Sequence, residues 1–161
     1  MSFSANTPEP QRQNPTLLDG KGRFSRYYTL DEAAAALPTV RASLEQALAE
    51  LETLKDSVIL LKRILLSKKR SGTELDDESL EALKQRYREV EELHAKWVGH
   101  FGSQGIILRD LSQGLIDFPY YAKSLDEEFL LCWKFGEDGL FYFHPIETGF
   151  GGRQPIALLP E

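Results

Sequence analysis

The sequence predicts an α+β domain: a long antiparallel helical hairpin with a small antiparallel sheet of about four strands. Three observations carry this expectation. Residues 40–65 and 80–101 each repeat apolar side chains at alternating four- and three-residue steps, the mark of a helix with one apolar seam. Ser67 to Thr73, containing Lys68-Lys69-Arg70-Ser71-Gly72, separates the two stretches, and helices joined by so short a turn pack antiparallel. After Gly102 the apolar period falls from about 3.6 to 2 and turn residues recur every few positions, as strands and tight turns require.

Residues 1–25 place Pro8, Pro10 and Pro15 among Asn, Gln, Ser and Gly. Such a segment has too little apolar surface to offset the entropy of ordering, so it reads as a disordered tail ahead of a single domain over 26–161. Thr29, three residues before Glu32, forms a capping box that opens the first helix. Pro38 lacks a donor and disfavours helical geometry at Leu37, so a short helix ending near Leu37 and a longer one starting at Pro38 are expected. The seam then runs Val40, Leu44, Ala47, Leu51, Leu54, Val58, Leu61 and Leu65.

The second helix starts in the acidic run Glu74 to Glu78, and its seam reads Leu80, Leu83, Tyr87, Val90, His94, Trp97 and Phe101. Folding the chain near Gly72 sets Leu61 beside Leu83, Val58 beside Tyr87, Leu51 beside His94, and the small Ala47 beside the Trp97 indole. The hairpin thus covers 30–101, and the sheet with a Gly-rich loop covers 105–158. Strands are expected at 105–109, 115–118, 129–135 and 140–144, the last two joined by Gly136-Glu137-Asp138-Gly139. Pairing Phe135 with Leu140 across that turn puts Cys132 beside Phe143 and His144 beside Leu131, on opposite faces.

Composition removes several function classes. With 161 residues, 19 basic and 25 acidic, the chain has the size of one ordinary domain and a formal charge of −6. The single cysteine, Cys132, rules out an intramolecular disulfide scaffold or a zinc ribbon and favours a reducing compartment. The densest apolar run, Val58 to Leu66, is broken by Lys62 and Arg63 and is too short to span a bilayer. The first residues show no secretory pattern, so a cytoplasmic protein without membrane attachment is expected. Residues 102–161 hold four basic against nine acidic side chains, which disfavours nucleic acid as a partner.

Four groups of residues stand out. Val58, Ile59, Leu60, Ile64 and Leu66 make the helix apolar on both flanks of its seam, and a two-helix hairpin cannot cover both, so a partner or a second copy is expected there. The neighbouring basic run Lys62, Arg63, Lys68, Lys69 and Arg70 reads as a solvated turn with cations at the negative helix end. His94 sits on the seam, but a small rotation buries its neighbour Leu93 and frees the imidazole. Asp117, His144, Glu147 and Arg153 gather polar groups in an otherwise apolar segment. They are the candidates for catalysis, with His144, Glu147 and Asp117 able to supply oxygen and nitrogen metal ligands, although the spacing by itself names no metal centre. Gly151, Gly152 and Arg153 can present backbone amides and a guanidinium to an anion. Cys132 near His144 invites a nucleophile and base reading, but the expected register separates them.

Four motifs occur in order: DEAAAALPTVR, LIDFP, LCWKFGE and FHPIETGFGGRQPI. On them the chain resembles the bacterial domain-of-unknown-function 2203 family over about residues 27–157. The resemblance implies the helical hairpin and carries no activity, cofactor or catalytic residue. It marks Asp117, Cys132, Trp133, His144, Gly149, Gly152 and Arg153 as lying in recurrent segments, with Phe143 standing where relatives carry a Trp. The residues themselves read first as an interaction or scaffold protein that self-associates through its hairpin. The alternative is a small-ligand or metal-dependent enzyme built on the C-terminal polar cluster.

Overall fold

A computed structural model describes residues 22–161; most of the expected tail, residues 1–21, lies outside the described residues. Helix α1 spans Leu30–Arg70 and helix α2 spans Asp77–Gly102. The α1 capping box is present: Glu32 N–H donates to Thr29 Oγ1 at 3.1 Å and Thr29 N–H donates to Glu32 Oε2 at 3.1 Å. The expected break at Pro38 is absent, and α1 runs through it as one 41-residue helix, about 60 Å long. The reason is position. Pro38 and Ala34 are exposed, so the Ala34 carbonyl, deprived of its partner, faces water, while buried Ala33, Leu37, Val40 and Leu44 hold both sides of the proline to one core.

Lys96 Nζ donates to Glu50 Oε2 at 3.0 Å, and Ser43 Oγ lies 3.3 Å from His100 Nε2, fixing the antiparallel register of the hairpin. Leu93, Trp97 and Phe101 are the buried residues of α2. Leu93, not His94, joins the core, because burying an imidazole without a partner costs more than burying a leucine. Burial then fades along the hairpin: Val90 is half-buried, and Tyr87 stands exposed beneath Lys62.

The sheet has five strands rather than about four: β1 Ile107–Asp110, β2 Leu115–Ala122, β3 Glu127–Lys134, β4 Tyr142–Pro145 and β5 Gln154–Pro155, antiparallel and in chain order. The two-residue β5 is formed by the Gly-rich tail folding back on β4. Residues 22–29 lead into α1 along β2, with Tyr28 N–H donating to the Pro119 carbonyl at 2.7 Å and the Tyr28 ring packed edge-on to Phe118.

The β3–β4 register departs by one residue from the expectation. Cys132 pairs with Tyr142, Leu131 with Phe143 and Leu130 with His144. Three bonds explain why. Glu137 N–H donates to the Lys134 carbonyl at 3.0 Å, and Lys134 N–H donates to Glu137 Oε2 at 2.9 Å. Phe135 N–H donates to the carbonyl of Gly114 at 2.9 Å. Gly114 has φ +62°, and a Cβ there would lie 2.5 Å from that of Phe135, so only glycine admits the contact. Phe135 is therefore tied to the β1–β2 turn, β3 ends at Lys134, and the chain re-enters the ladder at Tyr142.

A one-residue slip exchanges the two faces of a strand. In the register observed, Ile116, Phe118, Leu131, Trp133 and Phe143 share a core with Val40, Leu44, Trp97 and Phe101 of the helices. Asp117, Cys132 and His144 take the opposite face. The helix at Pro38 yields a test: Pro38→Ala restores a backbone hydrogen bond and raises unfolding free energy by about 1–3 kcal/mol in urea titration. An unchanged or lowered value contradicts the account of a strained but tolerated proline.

Candidate functional site

Asp117 is the only charged residue of the apolar strand β2, LIDFPYYA. Its register partner is Cys132 on β3, and His144 on β4 lies one pair further along the same face. All three are buried, at 1%, 1% and 2% exposure. One donor atom from each, a carboxylate oxygen, a thiol sulfur and an imidazole nitrogen, lie within 4.8 Å of one another. Arg109, at the irregular end of β1, donates its Nε–H to Asp117 Oδ2 at 2.6 Å, while His144 Nε2 stands 3.2 Å from Asp117 Oδ1. The other ring nitrogen, Nδ1, is 2.8 Å from the Pro145 carbonyl.

Both imidazole nitrogens thus face oxygen acceptors. A proton on either nitrogen can be donated to the oxygen it faces. Burial pushes the His144 pKa down, but the hydrogen bonds to Asp117 and Pro145 and the Asp117 charge outweigh it, and the net displacement is upward. Burial and the adjacent Asp117 carboxylate push the Cys132 thiol up to about 12. A thiol so held is neutral at ordinary pH and a poor nucleophile, so the Cys–His pair does not form a self-sufficient nucleophile and base. What the three atoms offer is a set of S, N and O ligands.

The other candidates fall outside this cluster. Glu147 is exposed on the turn after β4. Arg153 donates to Glu137 Oε1 at 2.5 Å, and its guanidinium stacks 4.0 Å from the Tyr142 ring centroid and 4.6 Å from that of Phe150. Glu137 takes one arm of the guanidinium, Nη2, while Arg153 Nε is buried without a hydrogen-bond partner. Gly151 and Gly152 lie in the single 3-10 turn Phe150–Gly152. The sequence names Cys132 but its expected register turns the thiol away from His144; Arg109 alone has no place among the sequence candidates. A lone Asp inside an apolar strand was the signal for Arg109, since a buried carboxylate needs a cation and the preceding strand supplies one.

The model of the family described as uncharacterized conserved protein, DUF2203, matches residues 26–156. The chain belongs to the DUF2203 family. No curated protein and no solved structure matches it. In this DUF2203 protein the residues that converge, Asp117, Cys132 and His144, all lie within the matched segment.

The second candidate surface is the far end of the hairpin. Ile59, Leu60, Ile64 and Leu66 are 48%, 59%, 40% and 52% exposed, and Val58 is half-buried. Helical spacing puts Ile59 and Leu66 on one flank of the seam and Leu60 and Ile64 on the other. Lys68 Nζ pairs with Asp76 Oδ1 at 3.0 Å across the turn. Among the described residues, no helix is long and apolar enough to cross a membrane.

The upward displacement of His144 sets the sign of a pH effect. A histidine held more tightly protonated in the folded state adds stability that is fully present below its unfolded value, about 6.5, and is lost as pH rises through the folded value. In chelator-treated buffer, the unfolding free-energy difference between the parent and His144→Gln is therefore largest near pH 5.5 and shrinks above neutrality. A difference that grows with pH would show that the ring is buried neutral.

Proposed function

We propose that this DUF2203 protein is an interaction protein that self-associates through the tip of its helical hairpin, the occupant of the apolar flanks being the tip of a second copy. The observation that carries the reading is the exposure of Ile59, Leu60, Ile64 and Leu66 on a continuous helix whose sheet lies at the other end. Two hairpins side by side make a four-helix bundle, the arrangement that covers flanks a hairpin leaves bare. Charge supports a like partner. The last turn of α1 carries Lys68, Lys69 and Arg70, and the first turn of α2 carries Asp77 and Glu78. A twofold contact at the tip sets the basic run of one copy against the acidic run of the other.

Magnitudes decide how tight the contact is. Burying the remaining surface of each exposed side chain releases on the order of 1 kcal/mol, or about 8 kcal/mol for both copies, against an association cost of roughly 4–15 kcal/mol. These side chains alone give about millimolar affinity at best, so the facing basic and acidic runs must add the few kcal/mol that bring the pair into the micromolar range. The alternative reading, a small-ligand or metal-dependent enzyme, is supported by the meeting of Asp117 with His144 and draws nothing from Glu147, which stands apart.

Light scattering coupled to size-exclusion chromatography, run up to about 100 μM, tests the reading. The parent mass rises from one chain towards two with concentration, and Ile59→Glu with Ile64→Glu holds it at one. A parent that stays monomeric across the range removes the proposal, as does a dimer indifferent to both substitutions.

A further inference from the structure

We propose that Cys132 Sγ, His144 Nε2 and Asp117 Oδ1 together bind one divalent transition-metal ion of the zinc class. The sheet register carries the inference, independently of how the hairpin tip behaves. Three strands each deliver one ligand-type atom to a point on the face opposite the helices, with the three atoms within 4.8 Å of one another. A mixed sulfur, nitrogen and oxygen set suits zinc or cobalt(II), and three protein ligands leave the fourth tetrahedral place for water.

The surroundings are those of ligands already aimed. Metal-binding histidines characteristically anchor their second ring nitrogen on a carbonyl or carboxylate, and His144 Nδ1 lies 2.8 Å from the Pro145 carbonyl, with Nε2 turned towards Asp117. Arg109 holds Asp117 through Oδ2, so Oδ1 is the oxygen offered inward. A purely structural reading explains less. Burying a carboxylate and an imidazolium together costs about as much as their attraction returns, and apolar residues of equal volume serve stability as well or better. Cys132 lies in hydrogen-bond reach of the same Asp117 carboxylate, where a plain apolar side chain would serve packing as well. Binding displaces the Cys132 thiol proton, and any proton on His144 Nε2, to solvent, and no redox change occurs.

The test uses the full chain without a histidine tag, stripped with chelator and titrated with Co²⁺. Cys132 is the only cysteine of the sequence, so a thiolate-to-cobalt charge-transfer band can come from no other residue. The expected result is a band that saturates at one ion per chain and is discharged by Zn²⁺. Cys132→Ser abolishes it. His144→Gln weakens zinc binding by more than the roughly 10–100-fold that loss of an outer-shell partner costs, while His94→Gln with His100→Gln leaves it unchanged. Absence of the band in the parent overturns the proposal whether or not the buried variants fold. So does zinc affinity that survives His144→Gln or depends on the two exposed histidines.

Discussion

One antiparallel register, Leu130 beside His144 and Cys132 beside Tyr142, decides what each face of the sheet contains. Side chains alternate across a strand, so the same pairing that sends Leu131, Trp133 and Phe143 into the helical core sends Cys132 and His144 to the other side, next to Asp117. A one-residue slip of β4 against β3 would bury a histidine among aromatics and expose a phenylalanine. The register is held from outside the ladder. Glu137 closes on Lys134, Trp133 Nε1–H donates to the Glu137 carbonyl at 3.2 Å, and Phe135 leaves for Gly114. Glu137 also accepts from Arg153, so one carboxylate ties the end of β3 to the Gly-rich tail.

The hairpin obeys a different constraint, the mismatch between a long helix and a short sheet. The first half of α1 has buried positions at Ala33, Leu37, Val40, Leu44 and Ala47, where helix, sheet and α2 meet. Beyond Leu51 only α2 remains to cover it, and Leu65 is the last buried residue of α1. Two helices bury one stripe each, and a sequence that stays apolar around more of its circumference than that leaves surface without a neighbour. The domain thus has a well-packed end that positions the buried polar cluster and a thin, sparsely covered end.

The helices were legible because their signals are local. A capping box, an apolar seam and a basic, glycine-containing turn each involve residues within a few positions; the structure holds the box and the turn, and departs from the expected seam of α2 at Tyr87 and His94, which are exposed. Pro38 misled because its cost is local while its remedy, a solvent-facing carbonyl and a core gripping both sides, belongs to tertiary structure. The strands were legible as elements and less so in register. Asp117 and His144 were visible as polar intrusions in apolar strands, but their contact with Cys132 hangs on a side chain, that of Glu137, reaching back to the backbone of Lys134. Nothing in the spacing of Gly136-Glu137-Asp138-Gly139 distinguishes that loop from a tight four-residue turn, and a one-residue error there inverts a face. The pairing of β5 with β4 had no such signal, since two residues, Gln154 and Pro155, carry no periodicity.

The register is therefore the claim to measure. Cross-strand nuclear Overhauser contacts in the ¹⁵N,¹³C-labelled chain distinguish the two pairings directly. The account predicts backbone contacts linking Cys132 with Tyr142 and Leu131 with Phe143, together with side-chain contacts between His144 and Asp117. Contacts that instead join Cys132 to Phe143 and Leu131 to His144 would put the thiol and the imidazole on opposite faces and leave no shared site.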